Sequence, residues 1–282
     1  MQIKNIIYDT LEKENKQYLP KNHNPSSASF MFANGKVIGK DLLSQYLRWN
    51  GIKPTNPPGP GALLRMKLGD GTHNILSQIL SKAGIKSMSE VSGVSTIPEL
   101  THPIGYRVDD LHEIDGELEV LEIKSGTDQN MFGKGWGIED KGPKEEHLLQ
   151  VICYLNLVPG VKRARLLYIS RDSGQMLEYL IKGENDVYFI DTEKITELNF
   201  AGIISRWSVL ESHLNTHILP PPDYKVWLNS DGKVMSVKQI KGIKYKSDWQ
   251  ALYDPYMSLI YENPQNYKIA TYNFEFEEKG LL

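Results

Sequence analysis

The sequence predicts an α/β fold with a central mixed β-sheet flanked by helices, a helical N-terminal part and an extra C-terminal segment. Three observations support this prediction. Apolar residues recur at helical spacing before residue 84, the period changes to two between residues 105 and 124, and a helix with further strands follows. Helices, then a hairpin, then a helix and more strands is the order typical of a sheet covered by helices.

Residues 1–60 are expected to form an N-terminal region of helices and loops. Residues 1–20 mix charged and apolar residues and favour a weak helix, and residues 22–27 have the composition of a loop. A helix is predicted over residues 40–49, and four prolines between residues 53 and 60 indicate a connection. A long helix should follow over residues 61–83, with a break near the glycines at 69 and 71.

The centre of the chain predicts a β-hairpin. Residues 105–111 and 117–124 alternate like strands, and Asp115-Gly116 between them is a strong hairpin-turn signal. After the hairpin we expect a Gly-rich loop (125–143) and a helix (144–158). A second hairpin (164–170 with 176–181), a strand (187–190) and a long helix (194–214) should follow. We therefore expect a core over residues 61–215 and a C-terminal extension, 216–282, packed on it.

Composition excludes several classes of protein. The chain has 282 residues, 40% of them hydrophobic, and no apolar run approaches the roughly 20 residues of a membrane span. Its N-terminus lacks the apolar region of a signal peptide. A single cysteine, Cys153, rules out an internal disulfide and a cysteine-built metal site. These features indicate a soluble, cytoplasmic protein, including the cytoplasm of an infected host.

Net charge neither establishes nor excludes a nucleic-acid partner. The formal charge is −3, which is not the basic signature of a non-specific nucleic-acid coat. Basic residues can still be confined to one face of a protein, beside a local group of carboxylates.

The segment from Val120 to Lys124 has the residue types of a metal-assisted hydrolytic site. Side chains alternate along a strand, so Glu122 and Lys124 share one face, whereas Leu121 and Ile123 point into a core. The carboxylate can bind a divalent ion, and the ammonium group can orient water or stabilise charge on a phosphate. Taken alone, this short pattern is more often an exposed ion pair.

A second carboxylate is expected beside Glu122. Asp109 precedes it by 122 − 109 = 13 residues, and a turn at Asp115-Gly116 would place the two on neighbouring strands. Paired carboxylates form an oxygen site suited to Mg²⁺ or Mn²⁺. Asp110 is the competing candidate, because strand neighbours face opposite ways. The alternative interpretation is a solvated acidic hairpin.

Four short patterns in this region resemble a known family of nucleases. Gly105-x-x-x-Asp109 and Glu122-x-Lys124 resemble motifs II and III of the PD-(D/E)XK nuclease superfamily. Gly69-x-x-x-His73 and Gln150-x-x-x-Tyr154 resemble the helical motifs of its RecB-like branch, which includes exonucleases of phages and CRISPR systems. Each pattern alone is weak, but all four occur in the family order. The resemblance is good over residues 69–154 and loose over 25–215.

The resemblance implies a restriction-endonuclease-like core and a metal-dependent deoxyribonuclease, with an exonuclease of phage DNA replication or recombination as the preferred role. The alternative is a catalytically inactive nuclease fold that binds DNA or a protein. Implied partners are DNA ends or single strands, together with phage or host recombination proteins, and no membrane. By resemblance, the catalytic residues are Asp109, Glu122, Lys124, Gln150 and Tyr154, and the ligands of Mg²⁺ or Mn²⁺ are His73, Asp109, Glu122 and the carbonyl of Ile123.

Two features qualify these expectations. Histidines on helix faces are more often core or surface residues than metal ligands. The expectation that His73 binds metal therefore depends on the presence of the other three motifs. Many RecB-like relatives hold an iron–sulfur cluster with four cysteines, whereas this chain has one, so no such cluster is expected.

The sequence also offers candidate DNA contacts. Arg107, Lys134 and Lys144 could neutralise phosphates, and Trp136, in a Gly-rich segment, could stack on a base of single-stranded DNA. An ordinary surface loop explains the same residues equally well.

Overall fold

A computed structural model describes residues 2–15, 18–195, 197–229, 231–240, 243–267 and 274–276. Parts of the expected C-terminal extension, including residues 268–273 and 277–282, therefore lie outside the described residues. The helices are α1 (Ile3–Glu14), α2 (Leu42–Trp49), α3 (Pro60–Lys82), α4 (Asp128–Phe132), α5 (Ile138–Lys141), α6 (Glu145–Leu157), α7 (Phe200–Thr216) and α8 (Trp249–Leu252).

A seven-stranded mixed sheet forms the centre of the fold, as expected. Its strands, in spatial as well as chain order, are β3 (Ser87–Ser95), β4 (Ile104–Ile114), β5 (Glu117–Gly126), β6 (Arg163–Ser170), β7 (Met176–Glu184), β8 (Val187–Ile190) and β9 (Glu193–Ile195). Strands β5 and β6 are parallel, and the other neighbouring pairs are antiparallel. Helix α6 makes the crossover between the two parallel strands.

The β4–β5 hairpin turns where the sequence predicts. Asp115 and Gly116 have φ angles of 55° and 77°, the left-handed pair that a two-residue hairpin turn of type I′ requires. Pairing runs from Ile114 opposite Glu117 to Asp110 opposite Leu121. The hairpin thus brings the strand segments around residues 109 and 122 next to each other.

Helices cover the two faces of this hairpin differently. On one face, Leu121 and Ile123 pack with Leu76 of α3. On the other, Val120 joins the main core, which includes Ile152 of α6. Burying each large apolar side chain contributes on the order of 1.5–3 kcal/mol, so this alternation holds the strand firmly in register.

Helix α3 is continuous through Gly69, Asp70 and Gly71, so the predicted break is wrong. Each glycine costs about 1 kcal/mol relative to alanine in a helix. Helix α3 packs on the sheet through the buried side chain of Leu76. At Gly69, a Cβ atom would lie 3.4 Å from Oγ of Ser125, about van der Waals distance, and at Gly71 nothing lies within 4 Å.

Two other boundaries differ from expectation. The helix predicted from residue 194 begins only at Phe200, because residues Glu193–Ile195 pair with β8 as an edge strand. Asn199 caps the helix by accepting a 2.7 Å hydrogen bond from the amide of Gly202. The Gly-rich loop of residues 125–143 contains the short helices α4 and α5.

The N-terminal region and the C-terminal extension pack on each other. Leu43 and Leu47 of α2 share a second core with Tyr224, Tyr256 and Ile260. The smaller strands are β1 (Ser29–Met31) paired with β2 (Val37–Gly39), β10 (Val226–Leu228) between β11 (Val234–Met235) and β14 (Phe274–Phe276), and β12 (Val237–Ile240) paired with β13 (Ile243–Lys246). Among the described residues, no helix has the length and hydrophobicity needed to cross a membrane.

Candidate active site

Asp109 and Glu122 lie where strands β4 and β5 stop pairing. The hydrogen-bonded register ends at Asp110 and Leu121, one residue short of both carboxylates. Asp109 instead accepts a 2.8 Å hydrogen bond at Oδ2 from the amide of Ile123. This bond fixes the Asp109 side chain against the strand that carries Glu122.

Glu122 is almost completely buried, with 2% of its surface exposed. One carboxylate oxygen contacts Nζ of Lys124, and the other, Oε2, is buried without a hydrogen bond from the described residues. Burial raises the pKa of Glu122 to about 7; the Lys124 charge opposes this rise and the Asp109 charge adds to it. A buried carboxylate oxygen without a donor is costly, and a cation can satisfy it.

His73 of α3 completes the group on the Asp109 side. Its Nδ1 lies 3.3 Å from Oδ1 of Asp109. The hydrogen bond to Asp109 raises the pKa of His73, burial opposes it, and the charges of Asp109 and Glu122 raise it further. The packing of Leu76 on Leu121 and Ile123 sets the position of α3, and so of His73 one turn earlier.

Lys124 is held from the other side by α6. Its Nζ donates a 2.9 Å hydrogen bond to Oε1 of Gln150. Nε2 of Gln150 donates to the hydroxyl of Tyr154 at 2.7 Å, and that hydroxyl donates to the carbonyl of Arg107 at 2.9 Å. Residues from α6 and β4 thus orient the ammonium group through a chain of three hydrogen bonds.

The structure separates the two candidate aspartates. Asp110 is fully buried, accepts a 3.0 Å hydrogen bond from Oγ of Ser89 and lies 3.4 Å from Nδ1 of His112. Asp109, in contrast, contacts His73 and the Ile123 amide. Asp109 is therefore the aspartate that lies with Glu122.

The types of donor present suit a hard divalent cation. Asp109 and Glu122 supply carboxylate oxygens, and Oε2 of Glu122 accepts no hydrogen bond from the described residues. His73 supplies a ring nitrogen beside Asp109, but the ligand atoms of these three residues do not all lie within 4.8 Å of one another. The amide of Ile123 points to Asp109, and its side chain packs on the α3 face. The carbonyl of Ile123 stays a ligand implied by resemblance.

The structure brings some of the expected DNA-contacting residues together and separates others. The Arg107 side chain is exposed and paired with Glu90 at 3.1 Å. Lys134 and Lys144 are exposed, and Lys144 shares a hollow of about 690 Å³ with Trp136, whose ring is 52% exposed. Lys144 and Trp136 thus lie at one hollow, whereas the side chain of Arg107 forms an ion pair with Glu90 of β3.

A second cluster was not anticipated from the sequence. Among the described residues, His23, His102 and Glu211 place three potential ligand atoms within 4.8 Å of one another. Glu211 already accepts hydrogen bonds from the amides of Thr101 and His102, at 2.6 and 2.7 Å, and from both imidazoles. The geometry favours a hydrogen-bonded junction that ties the N-terminal segment to α7. No local sequence pattern could reveal it, because its members come from three distant segments.

Comparisons with known proteins find only distant structural similarities. No family model and no curated protein matches it. Similar solved structures include SSO0001, with a TM-score of 0.45 and 17% identity over 78% of this chain and 88% of that chain. They also include an alkaline exonuclease from Laribacter hongkongensis, with a TM-score of 0.42 and 16% identity over 63% of this chain and 79% of that one. The same exonuclease in complex with dAMP gives 0.43 at 16% identity over the same shares. Each of these three TM-scores lies below one half, so these similarities assign no function, and a functional proposal has to rest on the geometry of the site.

Proposed function

We propose that the protein is a divalent-metal-dependent deoxyribonuclease that hydrolyses phosphodiester bonds of DNA. The observation that supports this proposal is the arrangement of Asp109, held by the Ile123 amide, next to buried Glu122 and its partner Lys124, with Oε2 of Glu122 accepting no hydrogen bond from the described residues. A buried carboxylate next to a half-buried one and an ammonium group is costly in a purely structural role, and it suits chemistry at a phosphate.

Each residue has a distinct role in the proposal. Asp109, Glu122, His73 and the carbonyl of Ile123 would hold Mg²⁺ or Mn²⁺. The ion supplies positive charge for the scissile phosphate and acidifies the attacking water. Lys124 positions that water and stabilises the charge that develops on the phosphate.

Gln150 and Tyr154 act on the substrate only through Lys124. Glu122 and Gln150 use two of the three N–H donors of the ammonium group, so one donor stays available for water or phosphate. Tyr154 holds Gln150 in place by anchoring it to the Arg107 carbonyl. Both are positioning residues in this scheme.

The finer assignment is exonucleolytic cleavage during phage DNA replication or recombination, in the cytoplasm of the host. The ordered motifs at residues 69–73, 105–109, 122–124 and 150–154 support this assignment by their resemblance to RecB-like exonucleases. DNA ends or single strands are then the substrates, and recombination proteins are the partners that would present them.

A cleavage assay tests the function. Linear and circular DNA, single- and double-stranded, are incubated with wild type, Asp109→Ala and Lys124→Ala in Mg²⁺, Mn²⁺ or EDTA. We expect metal-dependent cleavage by wild type and a loss of at least about 100-fold in both variants. Equal cleavage by wild type and Asp109→Ala would refute the site. DNA binding without cleavage under every condition would favour the inactive nuclease fold instead.

A further inference from the structure

Aromatic side chains of the C-terminal extension line the same hollow as Lys124. This hollow has a volume of about 270 Å³. Lys124 and Gln150 contribute to its wall from the core, and Trp249 and Tyr253 contribute from the extension. Trp249, which follows Lys124 by 249 − 124 = 125 residues, therefore lines the same hollow as the proposed catalytic lysine.

Trp249 and Tyr253 present their rings to solvent from a fixed backbone. Their exposed fractions are 50% and 80%, and their ring centroids lie 6.2 Å apart in an edge-to-face arrangement. Ala251, between them, is completely buried, and Tyr256 is buried in the core formed with α2. The extension is thus anchored, while two aromatic rings project from it.

Trp249 also borders a second hollow, of about 690 Å³, whose wall includes Trp136 and Lys144. It therefore lies between the hollow of Lys124 and the hollow of the Trp136 loop. The exposed rings of Trp136, Trp249 and Tyr253 line these two adjoining hollows, one of which includes Lys144 and the other Lys124. A strand that passes over them would meet a ring for a base and an ammonium group for a phosphate.

Charge alone does not explain this surface. Lys40 lines the hollow together with Lys124, but Glu146 and Asp254 line it too. Binding that depended mainly on phosphate contacts would be weakened by those carboxylates. Stacking of bases on aromatic rings is much less sensitive to them and is independent of sequence.

We propose that Trp249 and Tyr253 form a base-stacking subsite that guides single-stranded DNA to Lys124. The proposal rests on the deoxyribonuclease function proposed above and adds the two residues that would hold a single strand or a frayed end. Paired bases inside a duplex are stacked on each other, so they cannot offer their faces to the two rings.

The test measures binding in EDTA, without cleavage. A short fluorescein-labelled oligothymidylate is titrated with wild type, Trp249→Ala, Tyr253→Ala, the double variant and the two phenylalanine variants, and its anisotropy is recorded. We expect the double alanine variant to bind about 10-fold or more weakly, because stacking on aromatic side chains contributes at about this level for each base. The phenylalanine variants should stay within about twofold of wild type, since they keep a ring.

Two controls make the result specific. Tyr18→Ala removes a tyrosine that is 72% exposed but lines a different hollow, with Asn22 and His23, and it should bind like wild type. A strand of the same length with abasic sites throughout should bind wild type about 10-fold more weakly than oligothymidylate, and the double variant should bind it as weakly as wild type does. The comparison of abasic and base-bearing strands can be made with the wild-type protein alone. It therefore tests the proposal even if a variant fails to fold.

Equal binding of oligothymidylate by wild type and the double alanine variant would overturn the subsite. Equal binding of the abasic and base-bearing strands by wild type would overturn it too. If the stacking results hold but no DNA is cut in Mg²⁺ or Mn²⁺, the subsite stands and the nuclease proposal fails. If DNA is cut but the stacking results fail, the nuclease proposal stands and the subsite fails.

Discussion

Lys124 and Gln150 are joined by a 2.9 Å hydrogen bond between Nζ and Oε1, across the space between strand β5 and helix α6. This bond links the strand that carries Glu122 to the helix that carries Tyr154. The orientation of the ammonium group therefore depends on residues that do not touch the carboxylates.

Tyr154→Phe should slow cleavage without weakening DNA binding. The change removes the hydroxyl that accepts from Nε2 of Gln150 and donates to the carbonyl of Arg107, so Lys124 is held less well. We expect kcat to fall about 10-fold with KM nearly unchanged, and the free energy of unfolding to fall by about 1–2 kcal/mol. Steady-state kinetics and urea unfolding measure the two effects.

Tyr188→Phe is the matched control for this change. Tyr188 is also buried; its hydroxyl accepts a 2.6 Å hydrogen bond from Nδ2 of Asn156 in α6 and donates one of 2.9 Å to Asp186 in the β7–β8 turn. A similar loss of stability with normal kcat is expected. Equal losses of kcat in the two variants would show that Tyr154 acts only through stability.

Asp109→Asn and Asp110→Asn should have different effects on metal binding. Asp109 lies with Glu122 and His73, whereas Asp110 bonds to Ser89. By calorimetric titration with Mn²⁺, Asp109→Asn should lower the affinity at least about 10-fold, the scale typical of lost metal-site groups. Asp110→Asn should stay within about twofold of wild type and lower Tm instead. The opposite pattern would move the site to Asp110.

Glu122→Gln should stabilise the metal-free protein at high pH while abolishing cleavage. Burial raises the pKa of Glu122 to about 7 from its ordinary value of 4.5. Between these values the folded state binds more protons than the unfolded state, so stability falls as pH rises. The substitution removes that loss, which is on the order of 1–3 kcal/mol above pH 7.

Unfolding of wild type and Glu122→Gln in EDTA at a series of pH values measures this difference. The advantage of the variant should grow between about pH 4.5 and pH 7 and then level off. Added Mg²⁺ should stabilise wild type more than the variant, because only the wild-type side chain can carry a negative charge. A difference in stability between wild type and Glu122→Gln that does not change with pH would contradict the raised pKa of Glu122.

Glu211→Gln should destabilise the protein at neutral pH and leave the chemistry intact. Burial opposes ionisation, but hydrogen bonds from the amides of Thr101 and His102 and from two imidazoles lower the pKa of Glu211 to about 2. Its stabilisation is present above about pH 4.5 and is lost as pH falls toward 2. The expected cost at pH 7 is roughly 2–3 kcal/mol, by thermal or urea unfolding.

Glu145→Gln is the control for that measurement, because Glu145 forms an exposed pair with Lys36 at 3.0 Å. Removing an exposed pair should cost less than about 1 kcal/mol. If both variants lost the same stability, the junction at His23, His102 and Glu211 would have no special role.

The sequence predicted those features whose causes are local. The hairpin turn depends on Asp115 and Gly116 themselves, and the shared face of Glu122 and Lys124 follows from the two-residue period of a strand. Strand β3 escaped prediction because Ser87–Ser95 is a largely polar and exposed edge strand. Its pairing with β4 defines it, and its own composition does not.

Contacts between distant segments could not be predicted from the sequence, for a different reason. Trp249 meets the hollow of Lys124, and Glu211 meets His23, only because the whole chain folds in one way. No spacing or periodicity relates those positions. The continuity of α3 through two glycines is similar, because Leu76, beyond them, packs on Leu121 and Ile123 of β5, and this contact is not visible in the local sequence.

Anomalous diffraction from crystals soaked in Mn²⁺ tests the central claim most directly. A peak between the carboxylates of Asp109 and Glu122, at oxygen distances of about 2.0–2.3 Å and absent in Asp109→Asn, is the expected result. A peak only at His23, His102 and Glu211, or none near Glu122 at saturating Mn²⁺, would contradict the proposed metal site and with it the nuclease assignment.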